Sequence, residues 1–171
     1  MYIELSGRGS GKTYRAGVDI VNWISGSTHN IAVLKAPSKR QAMMMSEYAK
    51  DVSPRIASKR ILWWNDFKRN EGKYKDVNKK FYFDEFDMTP LSSEHLFDNG
   101  YYATTPLRFR KIKDFKSGDF LYDLLKYNNF IYCNRSLTSS ELLHKNYFYE
   151  EMERIGEKEV LREYFAQFLE K

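Results

Sequence analysis

Two stretches of this sequence carry residue types that could do chemistry together. The first is Ser6-Gly7-Arg8-Gly9-Ser10-Gly11-Lys12-Thr13, a glycine-rich turn closing on a lysine and a hydroxyl. Gly7, Gly9 and Gly11 let the backbone curl until several N–H groups converge on one anion, which is what a nucleotide's phosphates need. Lys12 is placed to reach the β- and γ-phosphates, and the Thr13 hydroxyl to ligate Mg²⁺. The usual pattern has glycine where this chain has Ser6, a position that small residues can occupy. The expected ligands are ATP and Mg²⁺.

The second stretch is Phe81-Tyr82-Phe83-Asp84-Glu85, an apolar run ending in two carboxylates. Magnesium-assisted hydrolysis needs one acid near the metal and another to orient or deprotonate the attacking water. Asp84 is expected to hold Mg²⁺ through water and Glu85 to polarise the nucleophile. Asp87 reads as a turn or capping residue. Thr104-Thr105-Pro106 has two readings. Its hydroxyls could sense the γ-phosphate, or the segment is a strand running out into a proline turn.

These residues need elements to position them. Tyr2 to Leu5 reads as a short apolar strand running into the glycine-rich turn, and Lys12 to Ile24 as a helix with Ala16, Ile20 and Ile24 on one face. Asn30 to Lys35 reads as a buried strand, followed by a helix from Ser38 or Lys39 toward Val52 with Ser38 as its cap. Ile61 to Trp64, Lys80 to Phe83, Tyr101 to Ala103 and Phe130 to Cys133 read as further strands. The charged stretch from Asn65 to Lys80 reads as a loop or a solvated excursion. From Ser139 onward the pattern is helical, broken near Gly156. Strands alternating with helices predict the α/β class, with a mostly parallel central sheet covered on both faces. A core over 1–136 and a C-terminal helical lid over 137–171 are the expected domains.

Composition narrows the class. The chain has 171 residues, 42% of them hydrophobic and 16% aromatic, enough for one packed core. No apolar run approaches the roughly 20 residues that span a bilayer, so a soluble, intracellular protein with no membrane partner is expected. Cys133 is the only cysteine, which excludes an intrachain disulfide. The net charge of +5 favours a polyanionic partner. Its densest basic stretch is Arg108, Arg110, Lys111, Lys113 and Lys116, interleaved with Phe109 and Phe115. That pattern suits a DNA backbone, a subunit boundary or a solvated surface.

The order of motifs resembles the large terminase subunit of tailed bacteriophages, the ATPases that pump DNA into capsids. The glycine-rich loop is followed by Val33-Leu34-Lys35-Ala36-Pro37-Ser38 with Gln41-Ala42, then Asp84-Glu85, then Ala103-Thr104-Thr105-Pro106. A terminal run, Glu163-Tyr164-Phe165-Ala166-Gln167-Phe168, is similar to the helical segment that closes the family's ATPase domain. The resemblance implies a P-loop NTPase of the RecA-like, ASCE type. It implies that Arg8 acts on the γ-phosphate or couples its state to movement, and that Thr104 and Thr105 form the coupling motif. It further implies double-stranded DNA, a capsid portal and a homo-oligomeric ring, expected to be a pentamer, docked on the procapsid in the host cytoplasm. Two features depart from the family. Its members usually carry an N-terminal extension that contacts adenine and a C-terminal nuclease domain; here the first strand starts at Tyr2 and the chain stops at Lys171, so no nuclease activity is expected. A helicase-like remodelling ATPase and a nucleotide-binding assembly protein are the competing readings. Short length weighs against the first, and Glu85 beside Asp84 against the second.

Overall fold

The structure, a computed structural model, describes residues 1–6, 10–105, 120, 131–135 and 153–157. Six strands form one parallel sheet: β1 (Tyr2–Ser6), β2 (Asn30–Lys35), β3 (Ile61–Trp63), β4 (Asn78–Asp84), β5 (Tyr101–Thr104) and β6 (Ile131–Arg135), in the spatial order β3-β2-β4-β5-β1-β6. Because every strand runs the same way, the ends at Ser6, Lys35, Asp84 and Thr104 lie along one edge. The predicted α/β sheet is present, and the expected strands are displaced by no more than a few residues.

Alternation along each strand divides the core. Ala32, Leu34, Tyr82, Tyr101 and Ala103 face one side, where helices α1 (Lys12–Gly26) and α2 (Lys39–Val52) cover them with Ala16, Ile20, Ile24, Ala42, Met45 and Ala49. Burying Ile20 and Ile24 contributes about 1.5–3 kcal/mol each. Ser38 caps α2 as expected, its Oγ accepting from the Gln41 backbone N–H at 3.2 Å. Gly17 is where α1 touches α2 most closely, since a Cβ there would lie 2.8 Å from the Tyr48 Cβ and 2.9 Å from the Ala49 nitrogen. Gly17→Ala should therefore destabilise the fold by about 1–3 kcal/mol, because the obstacles include backbone that cannot swing aside. Chemical denaturation measures this, and an unchanged midpoint would rule out the close approach.

The opposite face corrects the sequence reading. Trp64 leaves β3 and opens a short helix, α3 (Trp64–Arg69), and a 3-10 turn follows at Glu71–Tyr74. The stretch from Asn65 to Lys80, read as a loop or a solvated excursion, thus begins as a short helix and folds onto the sheet. Phe67 within it and Trp64 just before it do this: both are buried against Ile31, Val33, Phe81 and Phe83, with Tyr74 beside them. The charges that dominate its composition lie on the outer side, with Lys68, Glu71 and Arg69 exposed. On the same face Phe83 and Tyr102 stack at 4.8 Å, linking neighbouring strands at the edge that carries the carboxylates.

Most of the lid expected over 137–171 lies outside the described residues. Among the described residues no helix is long and apolar enough to cross a membrane.

Candidate active site

The strand order assembles the site. β5 lies between β1, which leads into the glycine-rich loop, and β4, which carries the carboxylates. Thr104 and Thr105 at the end of β5 therefore sit between Lys12 and the Asp84-Glu85 pair, far apart in sequence but neighbours along the sheet's carboxyl edge. In open parallel sheets that edge is where ligands bind.

Ser6 ends β1 fully buried, and its Oγ donates to Glu4 below it. Gly7, Arg8 and Gly9 lie outside the described residues. Gly11, at φ 81°, takes the left-handed conformation that lets the chain turn into α1. Ser10 Oγ is the one buried side-chain polar atom among the described residues with no hydrogen-bond partner. A hydroxyl donor left unpaired beside a helix start is chemically suited to an anion such as a phosphate oxygen.

Lys12 is only 6% exposed, and its Nζ bonds Glu85 Oε1 at 2.8 Å and Thr105 Oγ1 at 2.9 Å. The other carboxylate oxygen of Glu85 accepts from the Thr105 backbone N–H at 3.1 Å and from Thr104 Oγ1 at 3.3 Å. Glu85 is the only non-glycine residue among those described with positive φ, at φ 48° and ψ 46°. That conformation costs about 1–2 kcal/mol for an L-residue. The bonds to Lys12, Thr104 and Thr105 hold it there, as does its own N–H donating to Asp84 Oδ1 at 3.1 Å.

Thr13 Oγ1 donates to Asp84 Oδ2 at 2.8 Å, so hydroxyl and carboxylate already converge. Burial, followed by the neighbouring Glu85 charge, pushes the Asp84 carboxyl up to about 6, against the opposing pull of Lys12. A buried carboxylate that is costly to ionise gains from a nearby cation. Mg²⁺ typically takes one or two protein oxygens and completes its shell with water and substrate phosphates. The Thr13–Asp84 pair fits that donor set. Asp87 lies in a 3-10 turn (Phe86–Met88), as expected of a turn residue, and its N–H reaches Thr104 Oγ1 at 3.4 Å.

Sequence reasoning missed a buried ion pair under the loop. Glu4 is fully buried in β1 and bonded by Arg15, Ser6 and the Tyr101 hydroxyl. Burial alone would raise its carboxyl, but these donors outweigh it and hold it below the usual carboxylate range. Arg15 also donates through Nη1 to the Ser10 carbonyl, tying the loop to the strand beneath it. The signal was available: a glutamate at an inward position of a short apolar strand needs a cation, and Arg15 is one turn into the following helix.

The basic residues Arg108, Arg110, Lys111, Lys113 and Lys116 lie outside the described residues. Lys12, Thr13, Asp84, Glu85, Thr104 and Thr105 are brought together in one site.

No protein-family profile and no curated protein sequence matches this chain. Solved structures do. The ATPase domain of the Thermus phage P74-26 large terminase superposes with a TM-score of 0.67 at 16% identity, covering 98% of this chain and 88% of that one. An arginine-to-alanine variant of the same domain gives 0.61 at the same identity and coverage. The chain has the P-loop fold of a terminase ATPase domain.

Proposed function

We propose that this chain is the ATP-hydrolysing motor of a phage DNA-packaging machine. In this reading it moves double-stranded DNA into a procapsid as part of a homo-oligomeric ring, taken as a pentamer, docked on the portal in the host cytoplasm. The observation that carries the proposal is the contact of Lys12 with both Glu85 and Thr105, which ties the phosphate-binding lysine, the water-activating carboxylate and the coupling segment together.

Without nucleotide, Lys12 spends its charge on Glu85. A triphosphate carries several negative charges, so on binding it draws Lys12 away and the loop N–H groups and Ser10 hydroxyl close on it. Glu85 loses its cation and becomes free to accept a proton from the attacking water. Magnesium held by Thr13 and Asp84 would neutralise charge developing on the phosphate oxygens. Arg8, in the loop, would add a second cation at the γ-phosphate. Thr105 loses Lys12 at the same step, so the end of β5 reports occupancy of the phosphate site to the chain beyond Pro106. Arg108, Arg110, Lys111, Lys113 and Lys116 follow directly, where they would meet DNA phosphates or the next subunit's site.

The test is ATP turnover by the purified chain with and without linear double-stranded DNA. Turnover that rises several-fold with DNA is expected, with the stimulation weakening steeply as salt increases. Hydrolysis indifferent to DNA at low salt would remove the motor reading and leave only an ATPase.

A further inference from the structure

Arg15 stands one turn into α1 and grips two groups at once. Its Nε donates to both carboxylate oxygens of Glu4, at 3.1 and 3.2 Å, and Nη2 adds a further bond to the same carboxylate. Nη1 donates to the Ser10 carbonyl at 2.5 Å. One planar fork thus spans the strand under the glycine-rich loop and the backbone of the loop itself. A guanidinium has several donors in fixed directions and can do this, whereas an ammonium is a single point.

Glu4 gives the fork a fixed anchor. It is fully buried, and its carboxylate also accepts from Ser6 Oγ, from the Tyr101 hydroxyl at 3.2 Å and from the Tyr2 hydroxyl at 3.3 Å. Burial alone would raise the carboxyl, but Arg15, Ser6 and Tyr101 hold it below the usual range, so the pair stays ionised at neutral pH. With Glu4 neutralising it, Arg15 has little charge to spare for an anion. What it supplies to the loop is direction.

The peptide joining Ser10 to Gly11 is trans. In a planar trans peptide the carbonyl and the N–H point opposite ways. Because the Ser10 carbonyl is turned toward Arg15, the Gly11 N–H is turned away from it and off the strand. Gly11 completes the turn at φ 81° and ψ 18°, and nothing among the described residues accepts from its N–H. Ser10 Oγ, in the adjoining side chain, also has no partner among the described residues.

On the reading of Ser6 to Thr13 as the phosphate site, we propose that Arg15, anchored by Glu4, is a positioning residue that aims the Gly11 N–H at a nucleotide phosphate. Arg15 lies outside the glycine-rich motif and touches no phosphate itself. Without its fork the Ser10–Gly11 peptide can rotate, and ordering it again falls to the nucleotide, which then binds more weakly.

Amide ¹H–¹⁵N spectra of the intact chain, with and without ATP and Mg²⁺, are the first test and require no variant. The Gly11 amide proton is expected to move strongly downfield on binding, as a charge-assisted bond to phosphate forms. ATP that binds while this resonance stays in place would overturn the proposal and leave the phosphate site standing. No ATP binding at all would remove both. Arg15→Lys is the second test, since it keeps an ion pair with Glu4 but gives up the fork. Glu4→Gln combined with Arg15→Met removes both charges together and leaves no unpaired buried ion. Each is expected to weaken ATP binding about 10–100-fold, the scale of one charge-assisted hydrogen bond, and to reduce the Gly11 shift at saturation. A lowered thermal midpoint with ATP affinity and the Gly11 shift unchanged would show a merely structural pair and overturn the proposal.

Discussion

Glu85→Gln is expected to lower ATP turnover by about 10²–10⁴-fold while leaving ATP binding intact or tighter. Glutamine has nearly the shape of glutamate, and its amide oxygen can still accept from Thr104 and the Thr105 N–H, which bond Glu85 Oε2 at 3.3 and 3.1 Å. It cannot take a proton from water, so chemistry stops. It also cannot form the 2.8 Å ion pair with Lys12, so the lysine is released to the phosphates at lower cost. Binding by calorimetry and turnover by phosphate release separate the two effects. Loss of binding along with turnover would show that Glu85 serves to hold the backbone at its positive φ.

Lys12→Ala is expected to weaken ATP binding by at least about 100-fold, the scale of a charge-assisted contact to phosphate removed from a buried site. The substitution does more than delete a phosphate ligand. Lys12 is the cation that lowers the Asp84 carboxyl, so without it Asp84 and Glu85 face each other with less compensation and Asp84 rises further. It also leaves Thr105 Oγ1 without its donor at 2.9 Å. Normal hydrolysis by this variant would show that the glycine-rich loop is not the phosphate site.

The loop and the carboxylates were legible because their chemistry is local. A lysine and a hydroxyl after closely spaced glycines, and two acids at the end of an apolar run, point to function before any fold is drawn. The helix of residues 39–52 was equally legible, since Ser38 caps it through a bond spanning three residues. The charged stretch after β3 was not. Period and charge count described its solvent side, whereas its fold is set by Trp64 and Phe67 inserting among strands. Glu4 was legible in principle, as a glutamate at an inward strand position with Arg15 one turn into the following helix, but only the fold shows the two in contact.

For Thr104 and Thr105 the sequence left two readings standing, a phosphate sensor or a strand running into a turn. The placement of β5 between β1 and β4 decides between isolation and contact: it brings the threonines against Lys12 and Glu85. Parallel pairing joins residues about 20 positions apart on one side and more than 90 on the other, and no pattern within a segment encodes which strand becomes its neighbour. The sequence by itself determined which groups this protein offers at the carboxyl edge of its sheet: a lysine and a hydroxyl after closely spaced glycines, and two neighbouring acids. Only the sheet order determined that the lysine and the glutamate hold each other, because that contact depends on distance across strands rather than along the chain.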